Sequence, residues 1–197
     1  MDYQQMLNAL EPYMGLFITI LVIAGIISLI IYLCVSVWLR RMAMKVGVPA
    51  SLAWLSFLPI GRAWIIGRIS TKRYAYIYNP ILEIIGYVII AVLISQAVAS
   101  ITDLASAMEF LTSCLPWFIV WAIVATAVDL YVYYGVTQRF GKTSFFAPYL
   151  LLDIIAFLSV LTAQEKGLSN LWFLGRAVFT IWYLKTLYQM AWMDPVE

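Results

Sequence analysis

The sequence predicts an all-α fold: a polytopic membrane helix bundle of about five transmembrane helices, with a helical hairpin lying in the cytoplasmic-side interface. Three observations predict it. The 197 residues are 64% hydrophobic and only 11% charged, against about 25% charged in a usual soluble domain. Apolar runs long enough to cross a hydrocarbon core of about 30 Å recur along the chain. Seven of the twelve basic residues, Arg40, Arg41, Lys45, Arg62, Arg68, Lys72 and Arg73, fall in residues 40–73, which hold no acid. Such a basic stretch between apolar runs belongs on the cytoplasmic side, and this fixes the orientation of the rest.

The first span covers 13–39, roughly 40 Å as a helix, so it must tilt or protrude. Asp2 and Glu11 precede it without a basic residue, which places the N-terminus outside. The run is too long for the apolar core of a signal peptide and is expected to stay in the mature protein.

The basic belt follows. Its middle, 46–69, is apolar enough to suggest a span but contains Pro49, Pro59, Gly61 and Arg62, and an interior Arg costs about 2.5–3.5 kcal/mol on the insertion scale. It is read as two short amphipathic pieces, 51–58 and 62–69, hinged at Pro59-Ile60-Gly61 and lying in the interface. Trp54, Phe57 and Trp64 suit that depth.

The second span, 81–101, carries Ala91, Ser95 and Ala99 at four-residue spacing, a close-packing face. An acidic external loop with Asp103 and Glu109 leads to the third, 115–137. That span returns to a basic turn at Gln138-Arg139-Phe140-Gly141-Lys142, whose Gly suits a helix C-cap. The fourth covers 145–163. The fifth, 171–192, is interrupted by Arg176 and Lys185: it either spans, with both side chains snorkelling and the C-terminus cytoplasmic, or lies outside as an interfacial helix. The whole chain reads as one integral membrane domain.

The composition excludes several functions. A net charge of +2, with no soluble basic surface, excludes nucleic-acid binding. The absence of His removes the commonest metal ligand and general base, and with it the triads and zinc motifs that depend on one. No cofactor or metal motif is present, and the reading is non-enzymatic. Cys34 and Cys114 fall near opposite faces, too far apart for a disulfide.

Acids inside spans are the informative residues, since each costs several kcal/mol unless paired or wet. Asp129 and Asp153 both lie about 12 Å from the inner ends of their spans. Lys185 comes to a similar level and Glu83 sits nearer the interface, so Glu83, Asp129, Asp153 and Lys185 form a candidate intramembrane polar cluster. An Asp–Lys pair that only braces helices competes with an ion or polar-substrate site. In the belt, Arg62, Arg68, Lys72 and Arg73 are candidate contacts for anionic lipid headgroups, or serve only to set topology.

Lys45-Val46-Gly47-Val48-Pro49, Trp54-Leu55-Ser56-Phe57-Leu58-Pro59-Ile60 and Gly67-Arg68-Ile69, with Arg139-Phe140-Gly141-Lys142-Thr143 and the apolar stretch to Leu158, carry a resemblance. The chain resembles, over somewhat under half its length, a family of small, uncharacterised multi-span bacterial membrane proteins, some joined to signal-peptidase-like domains. That family usually has an Asn near Gly61-Arg62, and Pro in place of Asp153. The resemblance implies a bacterial inner-membrane protein and no particular activity.

The function expected is that of an accessory or scaffold subunit that binds a membrane partner, a second copy of the chain or anionic lipid of the surrounding bilayer. The alternative is a small transporter or channel component that uses the intramembrane acids.

Overall fold

A computed structural model describes residues 3–100, 104–161 and 166–196. Every regular element among them is helical: α1 (Tyr3–Lys45), α2 (Ala50–Ala53), a 3₁₀ turn (Trp54–Phe57), α3 (Pro59–Ile69), α4 (Ala75–Ser100), α5 (Leu104–Arg139), a second 3₁₀ turn (Thr143–Phe145), α6 (Phe146–Leu161) and α7 (Lys166–Trp192). Three of these segments are long and apolar enough to cross a membrane, Ile18–Lys45, Ala75–Gln96 and Ile119–Arg139. About five were expected. Helix α6, at 16 residues, is roughly 24 Å long, and α7, at 27 residues, has the length but carries Arg176 and Lys185. Of the acidic loop expected at 102–113, residues 104–113 belong to α5, and the rest lies outside the described residues.

Glycine ends two of the long helices. Gly47 has φ 88° and Gly141 φ 64°. At each, the glycine N–H and the next N–H turn back onto the helix: Gly47 to Met44 O and Val48 to Ala43 O, Gly141 to Gln138 O and Lys142 to Thr137 O. These 5→2 and 6→1 bonds form the Schellman stop, which needs the left-handed conformation that glycine adopts without a Cβ penalty. The chain therefore reverses sharply after α1 instead of continuing outward.

That reversal decides where the basic belt goes. After the turn, α2 and the 3₁₀ turn climb back along α1 until Tyr32 Oη donates to Phe57 O at 3.0 Å. Tyr32 is thirteen residues before Lys45, roughly 20 Å up the helix. Leu58 is extended (φ −102°, ψ 138°), and Pro59 opens α3, which then descends to Ser70. The hairpin is expected to lie in the membrane interface and to hinge at Pro59-Ile60-Gly61. It packs lengthwise along α1 and α4, and its break falls at Leu58. Pro59 occupies a first-turn position, where its missing N–H has no helical partner to lose, so it starts a helix here and does not interrupt one.

Helix α3 is packed on several sides, with Ala63, Ile65, Gly67 and Ile69 all buried. Its neighbours come close because the contacts are small. A Cβ on Gly67 would lie 2.5 Å from the Ala75 carbonyl group and the Tyr76 nitrogen. Asn79 Nδ2 donates to Ala63 O at 3.0 Å, four residues earlier on α3 and four later on α4, so the two helices are antiparallel. At the base, Ser70 Oγ donates to Val132 O at 2.8 Å and Thr71 N to Gly135 O at 3.3 Å. These bonds join α3 to α5.

The resulting arrangement is a ring in which α1, α3, α4, α5, α6 and α7 each touch the next and α7 returns to α1. The core lies toward its basic end. Leu39, Met42, Ala43, Ile65, Ile69, Val136, Phe140, Leu187 and Met190 pack there. Away from that end the helices are bare. Ile18, Ile20, Ile23, Ile27 and Ile30 of α1 are all more than half exposed, as expected of side chains that meet lipid.

Candidate functional site

Polar residues of α5, α6 and α7 are brought to neighbouring levels by antiparallel register. Tyr133 of α5 stacks on Tyr149 of α6 with ring centroids 4.1 Å apart, and Tyr183 of α7 stands 5.7 Å from the first and 5.5 Å from the second. One helical turn beyond this trio are Asp129 on α5 and Asp153 on α6, made level by the same pairing. Asp129 is exposed and in electrostatic range of both Asp153 and Glu83.

Glu83 and Asp129 share a cleft of ≈ 210 Å³ between α4 and α5, walled by Asn79, Leu82, Gly86, Tyr87 and Trp121. Its shape depends on Gly86. A Cβ there would lie 2.5 Å from Cζ2 of Trp121, so the indole can close the cleft only over a bare backbone. Tyr87 Oη donates to Glu83 Oε1 across a long 3.4 Å.

The cation that faces this layer is Arg62. It stands at the upper end of α3, two turns or roughly 12 Å above Ser70, with its guanidinium 5.5 Å from the Tyr32 ring. Its charge reaches Glu83, Tyr149 and Tyr183. Lys185 was expected in this position by depth alone. It is exposed, and among the described residues the only ion pair joins Lys45 to Asp194 at 3.1 Å. Lys185 follows Tyr183 by two residues, about 200° around α7, so the turn that directs Tyr183 inward directs Lys185 outward.

The layer therefore holds three carboxylates, Glu83, Asp129 and Asp153, of which Glu83 is within reach of the Arg62 guanidinium. They do not converge on a single point: among the described residues no group of three His, Cys, Asp or Glu side chains is placed to hold a metal ion. Below the acids, Tyr133 is 4% exposed and its hydroxyl makes no well-formed hydrogen bond, with the Thr186 and Tyr183 side chains its polar neighbours.

The other basic belt residues separate from Arg62. The Arg68 guanidinium lies 5.1 Å from the Trp64 ring and 4.1 Å from that of Tyr76. Lys72 Nζ donates to Gln138 Oε1 at 3.1 Å and sits 4.8 Å and 5.0 Å from the Tyr131 and Tyr134 rings. Arg73 lies 4.8 Å from the ring of Tyr74. Each cation rests on aromatic faces, which holds it at little cost while its charge stays open.

Sequence reading did not find three features. Arg62 was assigned to the surface because the hairpin was. The tyrosine trio has no spacing of its own, since its members come from three helices. The tail contacts, Lys45 Nζ to Met193 O at 2.6 Å and Val196 N to Arg139 O at 2.7 Å, join residues that only the fold brings together. Cys34 and Cys114 are both free. Comparison with protein-family models, with curated proteins and with solved structures finds no match.

Proposed function

We propose that the chain is a non-enzymatic, multi-span membrane protein whose carboxylate layer takes up protons or a monovalent cation, as a small transporter or channel component. The observation that carries this reading is the charge imbalance: Glu83, Asp129 and Asp153 lie near one another, the Arg62 guanidinium bears on Glu83, and no ion pair neutralises the three among the described residues. Carboxylates at membrane depth without counter-ions are costly, and a brace would have used Lys185. The buried, poorly bonded Tyr133 hydroxyl adds a polar group to the same path.

In this reading α6 and α7 are the fourth and fifth crossings. Helix α6 pairs lengthwise with both α5 and α7 through the tyrosine trio, and the tail after α7 returns to Lys45. The basic end faces the cytoplasm, with the belt and the C-terminal tail together there and the N-terminus outside, in the inner membrane of a bacterium. The hairpin is then re-entrant, dipping into the membrane to present Arg62, as backbone breaks at that depth do when other helices enclose them.

The exposed basic–aromatic groups at the base favour a second role, an accessory subunit that holds anionic lipid or a membrane partner through Arg68, Lys72 and Arg73. Proteoliposomes separate the two. Ion or proton flux that is present in the native protein and absent in Asp129→Asn supports the first, whereas equal flux from protein-containing and empty vesicles leaves only the second.

A further inference from the structure

A recess lies at the basic end, apart from the carboxylate layer. It measures ≈ 240 Å³ and is walled by Lys45 and Val46 at the end of α1, Arg139 at the end of α5, and Pro195 and Val196 of the tail. The tail forms a fixed wall, because Val196 N donates to Arg139 O at 2.7 Å.

Neither cation is consumed by its surroundings. Arg139 sits where a basic side chain often caps a helix, but that role is filled: the Thr137 and Gln138 carbonyls already accept from Lys142 and Gly141, and the Arg139 carbonyl from Val196. Its Nε is buried without a hydrogen-bond partner, a state that native structures usually relieve. Lys45 donates to Met193 O at 2.6 Å and to Asp194 Oδ1 at 3.1 Å, which leaves a third ammonium hydrogen. Asp194 is 93% exposed, so its hold on Lys45 is solvent-screened and readily exchanged. A guanidinium fork beside an ammonium point charge, walled by Val46, Pro195 and Val196, matches a phosphate group.

We propose that this recess binds a phosphate group through Arg139 and Lys45, supplied by the headgroup of an anionic lipid or by free phosphate. The lipid source rests on the reading that the basic end lies at headgroup level; the site itself does not. Binding draws Lys45 partly from Asp194 and fixes the tail across the ends of α1 and α5.

The test uses the full chain in nanodiscs of phosphatidylcholine alone, of phosphatidylcholine with phosphatidylglycerol, and of phosphatidylcholine with added inorganic phosphate. Unfolding temperature is followed for the native protein, Arg139→Gln and Arg68→Gln. Phosphatidylglycerol is expected to stabilise the native protein, with apparent affinity falling about tenfold in Arg139→Gln, as the loss of one charged hydrogen-bonding group implies. An Arg139-dependent rise with inorganic phosphate in plain phosphatidylcholine assigns the site to soluble phosphate. Should Arg139→Gln fail to fold, a photo-crosslinking residue at Val46 reads the same contact, and labelled phosphatidylglycerol must attach there. Stabilisation by phosphatidylglycerol that needs Arg68 but not Arg139 overturns the recess and leaves the headgroup-level reading standing. An absence of Arg139-dependent stabilisation by either ligand overturns the proposal.

Discussion

The side-chain amide of Asn79 donates to the main-chain carbonyl of Ala63 at 3.0 Å, and both residues are almost fully buried. This bond fixes how far the hairpin is inserted against α4, and so where Arg62 stands relative to Glu83. Replacing Asn79 by Ala removes a hydrogen bond of about 0.5–1.5 kcal/mol and opens space beside α3. The unfolding temperature in detergent is expected to fall, and a larger fall is expected for Asn79→Leu, whose branched side chain must fit where the amide lay.

Gly67 makes the stricter demand. Its Cβ position is 2.5 Å from the backbone of Ala75 and Tyr76, which cannot rotate aside as a side chain would. Gly67→Ala is expected to destabilise by at least the roughly 1–3 kcal/mol typical of overpacking, measured by thermal unfolding. An unchanged unfolding temperature would mean that α3 and α4 are not in the contact described.

The tail contacts at Lys45 and Arg139 place the C-terminal residues at the same end as the basic belt. On a background without Cys34 and Cys114, cysteines at Thr71 and at Val196 are expected to react from the same side, the cytoplasmic one. Reaction of Thr71 with an impermeant external reagent would reverse the orientation. Reaction of the two positions from opposite sides would contradict the fold itself.

Much of this architecture is legible in the sequence through periodicity and punctuation. Apolar length gives the long helices, and the Gly141 stop is visible after a basic helix end. The depths of Asp129 and Asp153 follow from counting residues at 1.5 Å each. Counting gives depth but not direction around the helix, which is why Lys185 was grouped with acids it turns away from. The hinge of the hairpin was misplaced for a different reason. Pro59 and Gly61 read locally as a break, whereas Pro59 begins α3 and Gly61 lies inside it, where a Cβ would meet the Leu55 carbonyl at 2.5 Å. What draws α3 into the bundle is its fit against Ala75 and Gly135, a tertiary relationship between small residues that leaves no local pattern.

The central claim is that Glu83, Asp129 and Asp153 carry more negative charge than Arg62 answers, and thermal unfolding of Asp153→Asn in detergent tests it most directly. Neutralising a surplus acid removes a cost, so the variant is expected to unfold at the native temperature or above it, with any flux activity lost. If Asp153 instead braces Lys185, the variant leaves a charge unpaired and loses about 3–5 kcal/mol, and the added change Lys185→Gln restores much of that loss. A destabilised Asp153→Asn protein rescued by Lys185→Gln would contradict the account.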